Sequence, residues 1–270
     1  MSTRGVSARP PRAAFEVMGT VASVVVGARD VERRGVASVD QAIAAAREVL
    51  QLLDRRFSHY RTDSEISRWG RGEHVGRAAA ADIEHVLREC ALLYGDSDGV
   101  FDARDPRTGE LDTAGYVKGY AIRRAAETLL DAGMADFVVG VGGDVHASGR
   151  AEDDRPWRVA VQDPVHSHAV LALVEVADGA VATSGTEQRG EHIWNGVQIG
   201  GPGAAGRDGD RVLSFTVVGP DIALADAYAT IGFALGEAGP AWVRRHEGYR
   251  SLVVRADGSR FSDAALVSSA

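Results

Sequence analysis

Residues 137–145 read Phe137-Val138-Val139-Gly140-Val141-Gly142-Gly143-Asp144-Val145, and on this stretch the fold turns. The first five residues are a short apolar run rich in valine, a strand by composition. Glycines directly after a strand suggest an anion cradle, because backbone amides without a neighbouring Cβ can approach a phosphate or a ring. The glycine spacing is wrong for the dinucleotide fingerprint, however, and a second strand follows where that fingerprint needs a helix. The plainer reading is a tight turn that needs positive φ.

Working outward, short strands at residues 157–162, 170–176, 181–183 and 211–218 are separated by turn residues. An Ala-rich helix at 222–235 and a last strand at 249–255 complete that half. Upstream, residues 15–28 read as one long Val-rich strand interrupted at Met18-Gly19-Thr20. The clearest helix covers 38–57, with Val39, Ile43, Ala46, Leu50, Leu53 and Phe57 at helical spacing and Ser38 as N-cap. A second helix spans 80–94, where Cys90 faces inward as a small core residue, and a third runs from 117 to a C-capping Gly133. Helices and strands come in clusters, not in βαβ alternation, which predicts an α+β fold with mainly antiparallel strands. No linker divides the chain, so residues 14–270 read as one domain after a disordered tail at 1–13.

Composition narrows the function. The chain has 270 residues, 38 acids against 30 bases, and one cysteine. The acidic balance argues against a duplex nucleic-acid partner, and a lone cysteine excludes an intrachain disulfide framework or a Cys-based metal cluster. No run approaches the ~20 apolar residues of a membrane span. Residues 1–12 hold three Arg and two Pro with no apolar core, unlike a Sec signal, so the expected location is cytoplasmic.

Several segments could carry chemistry. Asp226 and Thr230 stand at i and i+4 of the Ala-rich helix, which puts a carboxylate and a hydroxyl on one face. Hard oxygens so placed suit Mg²⁺; the plainer alternative is a Thr bonding back to its own helix. Asp112-Thr113-Ala114-Gly115-Tyr116-Val117-Lys118 enters the third helix, either as an anion-friendly start or as an N-cap followed by a solvated lysine. Thr183-Ser184-Gly185, with Gln188, Arg189 and His192 after it, offers hydroxyls, a guanidinium and an imidazole, but no Gly-x-Ser-x-Gly elbow. His166 and His168 lie in a polar loop with no third ligand near and read as solvent-facing.

The order of these segments says more than any one of them. Met18-Gly19-Thr20, Phe57-Ser58-His59-Tyr60, Ser64-Glu65-Ile66-Ser67, Phe101-Asp102, Gly115 to Ala121, Gly142-Gly143-Asp144-Val145, Thr183-Ser184-Gly185 with His192-Ile193, and Ala225-Asp226-Ala227-Tyr228-Ala229-Thr230 follow in register. This succession, over residues 15–236, resembles the ApbE family, the FAD:protein FMN transferases. The resemblance implies two related β-rich lobes with flanking helices, T-fold-like. It implies Mg²⁺-dependent transfer of FMN from FAD to a threonine hydroxyl of a client protein, with release of AMP. The alternatives are hydrolysis of FAD to FMN and AMP, or FAD binding without catalysis. The family's flavin contacts fall on Met18, Tyr60, Val100, Phe101, Asp102, Asp112, Lys118 and Ile193. Its metal ligands fall on the Gly115 carbonyl, Asp226 and Thr230, with Ala229 beside them, and its catalytic histidine on His192. This chain departs from the pattern at His192-Ile193-Trp194-Asn195-Gly196, where the family continues with Ile-Asp-Pro; the carboxylate after the histidine is missing.

Overall fold

The computed structural model describes residues 11–105, 108–152, 154–166, 168–185 and 211–264. Strand β1 (Arg12–Val17) turns back through Met18 and Gly19 into β2 (Thr20–Val26) as an antiparallel hairpin. Both turn residues have positive φ, 52° and 69°, which the right-handed twist of a two-residue hairpin favours. The long strand expected over 15–28 is therefore two strands. β1 also takes the last two residues of the segment expected to be a tail.

Helices follow: α1 (Ala28–Arg34), α2 (Val36–Phe57), α3 (Glu65–Gly70), α4 (Arg77–Asp96) and α5 (Ala114–Asp131). Strands β3 (Phe137–Val141) and β4 (Asp144–Ser148) then pair as a second hairpin through Gly142-Gly143. Gly35 rather than Ser38 caps α2, and α5 begins three residues before its expected start. A separate antiparallel ribbon, β5 (Trp157–Gln162) and β6 (Val170–Val176), comes next. The chain finishes with β7 (Gly179–Gly185), β8 (Val212–Gly219), α6 (Ile222–Leu235), α7 (Gly239–Val243), β9 (Arg250–Arg255) and β10 (Arg260–Ser262).

Eight strands form one sheet in the order β1-β2-β3-β4-β7-β8-β9-β10, and every neighbouring pair is antiparallel. Each half is a hairpin, a helical crossover and a second hairpin. The two β-rich lobes thus meet edge to edge, at β4 and β7, and the α+β antiparallel expectation is borne out. Side-chain alternation gives the sheet two buried faces. Val139, Ala182, Phe215 and Val217 join the helices Leu50, Ile122 and Ile231 come from, in the larger core. Ala147, Val181, Leu252 and Val254 pack under the ribbon with Val159 and Val174 in the second core.

The two crossover helices nearest the seam, α5 and α6, touch backbone to backbone. A Cβ on Gly119 would stand 2.6 Å from the Ile222 carbonyl oxygen and 2.7 Å from Ala223 Cα, so only glycine permits this approach. Among the described residues no helix is long and apolar enough to cross a membrane.

Candidate functional site

The α5–α6 contact sets the site. Almost every residue of α6 from Ile222 to Phe233 is buried, Asp226 included. A carboxylate in such surroundings needs partners, and α5 supplies two. The Gly119 N–H donates to Asp226 Oδ2 at 2.9 Å, and Lys118 Nζ stands 3.5 Å from Asp226 Oδ1. Lys118 makes a closer ion pair with Asp144 Oδ2, at 2.6 Å. Asp144 opens β4 on the helix-facing side of the sheet and is fully buried; its Oδ1 accepts from the Thr183 N–H of β7 at 2.9 Å. One turn along α6 from Asp226, the Thr230 hydroxyl lies 3.3 Å from that of Ser184. Four elements from both halves of the sheet therefore converge at the seam.

The electrostatics are unequal. Two buried carboxylates face one ammonium that is only 19% exposed. Burial pushes the Asp144 carboxyl above its ordinary value, the Asp226 charge adds to that, and Lys118 opposes both. Lys118 is thus an interior cation, not the solvated lysine that was one reading of the sequence.

Gly115, in the first turn of α5, has its Cα side against Phe101 and Thr230. A Cβ there would lie 2.9 Å from Phe101 Cε2 and 3.6 Å from Thr230 Cγ2. The segment carrying Phe101 is held from below. Phe101 N–H donates to Ser97 Oγ at 2.9 Å. The preceding Asp96 ends α4, pairs with His246 Nε2 at 2.7 Å and accepts from Trp242 Nε1 at 3.3 Å. Trp242 meets Tyr228 of α6 edge to face, and His246 lies tilted against the same ring. Val100 is half-buried against the larger core, and Ala229 is buried.

The remaining expected contacts stand outside this cluster. Met18 is in the β1–β2 turn, beside the Gly142 turn, where a Cβ on Gly142 would meet Thr20 at 2.9 Å. Asp102 is exposed and accepts from the Arg104 N–H. Asp112 Oδ1 accepts from the Ala114 N–H at the start of α5 and lies 3.9 Å from His59 Nδ1. Tyr60 is 77% exposed, with its ring centroid 3.9 Å from that of His59, and so takes no part in the core. His192 and Ile193 lie outside the described residues, as do Gln188 and Arg189. His166 is solvated, as expected.

Sequence reasoning missed Asp144 as a site residue and used it only as a landmark. Its signal was an acid opening an apolar strand immediately after Gly142-Gly143, in alternation with Val145 and Ala147, which face the ribbon. Among the described residues no group of three or more His, Cys, Asp or Glu side chains is placed to hold a metal. A hard cation needs less: the Asp226 carboxylate and the Thr230 hydroxyl stand one turn apart on α6, Gly115 packs beside Thr230, and such oxygen donors are of the kind that fits the ion.

The family model described as "ApbE family" matches residues 18–105 and 103–253. A Vibrio cholerae protein named FAD:protein FMN transferase is 29% identical over 180 residues, 65% of this chain and 48% of that one. The chain spans about half the length of the first curated relatives it matches. Among solved structures, the apbe protein of Thermotoga maritima superposes with a TM-score of 0.74 at 20% identity, covering 94% of this chain and 97% of that one. Flavin transferase ApbE of Vibrio cholerae gives 0.71 at 21%, with the same coverage. At these identities the structures speak for the fold alone. The matched residues run through both hairpin halves and the seam between them, and on that extent the chain belongs to the ApbE family.

Proposed function

We propose that this protein transfers the FMN half of FAD to a threonine hydroxyl of a client protein and releases AMP. The observation that carries the reading is the seam cluster, Lys118, Asp144, Asp226 and Thr230, in a chain of this family. A dinucleotide pyrophosphate needs concentrated positive charge and hard-cation ligands, and this cluster provides an interior ammonium beside an oxygen donor set. Asp226, Thr230 and the Gly115 carbonyl would hold Mg²⁺, which when bound supplies charge neutralisation to the pyrophosphate.

In the transfer the threonine oxygen forms a bond to the phosphorus of the FMN half. The pyrophosphate P–O bond to the AMP half breaks, and AMP leaves with that electron pair. His192 takes the hydroxyl proton, a role suited to an imidazole near neutral pH. Lys118 faces the developing negative charge as a point cation. Tyr60 offers an exposed ring for the isoalloxazine, and Asp112, whose Oδ1 accepts from the Ala114 N–H, steadies the start of α5.

The test is a single-turnover assay with FAD, Mg²⁺ and a peptide carrying the client threonine. Wild type should attach flavin to the peptide, and His192→Ala should lose about 10²–10⁴ in rate with little change in FAD affinity. Free FMN and AMP from wild type, whatever peptide is supplied, would replace transfer by hydrolysis. No turnover with intact FAD binding would leave a binding protein.

A further inference from the structure

Asp144 belongs to the seam cluster but takes no step in the transfer, and its side chain is fully buried. Its two oxygens do different things. Oδ1 takes the Thr183 N–H and closes the ladder between β4 and β7; Oδ2 takes Lys118 at 2.6 Å. Among the described residues Lys118 pairs with two carboxylates and sits 0.9 Å closer to Asp144 than to Asp226, the difference between 3.5 and 2.6 Å. Both are ion pairs, and attraction between opposite charges grows as the separation shrinks, so the 2.6 Å pair holds the ammonium more strongly than the 3.5 Å one.

We infer that Asp144 is a positioning residue that detains the Lys118 ammonium, so that the Asp226 carboxylate keeps its charge for a divalent cation. The inference rests on the metal assignment made above. Without Asp144, Lys118 would have Asp226 as its nearest buried carboxylate. A lysine in direct contact with Asp226 neutralises the one charged ligand of the cation site. Counting charges, the cluster goes from −1 with both acids and the lysine to zero when Asp144 is made neutral. It returns to −1 when Lys118 is removed as well. Cation affinity should follow that count. A purely architectural Asp144 would leave it unmoved, because the Thr183 N–H donates to an amide oxygen as readily as to a carboxylate.

The experiment titrates Mn²⁺ by electron paramagnetic resonance into the full chain, with and without saturating FAD. Thermal melting runs alongside to confirm folded protein. Asp144→Asn keeps the Oδ1 acceptor and removes the charge; it should weaken Mn²⁺ binding about tenfold or more. Asp144→Asn with Lys118→Met should recover most of that loss, a rescue that damage to the β4–β7 ladder could not produce. Equal Mn²⁺ affinity in wild type and Asp144→Asn would overturn the inference while leaving the metal site standing. So would a double variant that binds as weakly as the single one. A wild type that binds no Mn²⁺, with or without FAD, would overturn the metal assignment itself and the inference with it.

Discussion

At the scale of single residues, exposure separates the roles. Tyr60 is 77% exposed, with its ring against His59, so Tyr60→Ala should change stability by no more than about 0.5 kcal/mol. Aromatic stacking is worth roughly 0.5–1.5 kcal/mol, so FAD affinity should fall about two- to tenfold. A fluorescence titration of FAD reads this directly; unchanged affinity would remove Tyr60 from the flavin site. The residues legible in the sequence were those whose chemistry depends on spacing along one helix, such as Asp226 and Thr230. Asp144 was not legible, because its importance comes from a lysine 26 positions away and a strand 39 positions away. Lys118 was legible as a cation but not as an interior one, since only the packing of α6 reveals which carboxylates it meets.

At the scale of elements, the α5–α6 contact decides whether the site exists. Gly119→Ala would gain about 1 kcal/mol of helix propensity in α5. Its Cβ, however, would collide with the Ile222 carbonyl, Ala223 Cα and Asp226 Cβ, at 2.6, 2.7 and 2.9 Å. Two of those three contacts are backbone and cannot rotate away. Overpacking of this kind costs about 1–3 kcal/mol, so the variant should melt lower despite its better propensity, and turnover should drop further than stability does. A melting temperature equal to wild type would mean the helices can part freely. The long helices were readable because their apolar stripes repeat over many turns, as α2 shows from Val39 to Phe57. The β1–β2 hairpin was not, because Met18 carries none of the Asn-Gly chemistry that marks such turns and adopts φ 52° only in the company of Gly19. The edge strand β10 has three residues and no alternation long enough to register.

At the scale of the whole molecule, buried protons govern stability in alkali. Burial raises the Cys90 thiol from 9.0 to about 12 and the Tyr228 phenol from 10.0 to about 12, and it raises Tyr116, Tyr120 and Tyr249 as well. In each case the folded chain holds a proton that the unfolded chain gives up. Their stabilisation is therefore full below about pH 9 and is lost progressively as pH climbs past it, for Cys90 and Tyr228 by about 12. Melting temperature should be flat with respect to these groups up to about pH 9 and then fall with increasing slope. Melts across that range, paired with tyrosinate absorbance, check it; buried tyrosines that ionise with no loss of melting temperature would contradict the burial argument. The antiparallel architecture was readable from the clustering of strands, but the joining of both halves into one sheet was not. That joining depends on pairing between β4 and β7, which the ribbon separates by 30 residues of chain.

The seam between those strands is narrow: Val145 pairs with Val181, His146 with Ala180 and Ala147 with Gly179, and beyond them the Asp144 carboxylate continues the ladder to Thr183. In mechanical terms this is a short joint between the two halves of an otherwise continuous sheet. A ligand held between α5 and α6 would act as a tie between the two halves, and a molecule pulled apart in an optical trap should then yield at higher force when loaded than when empty.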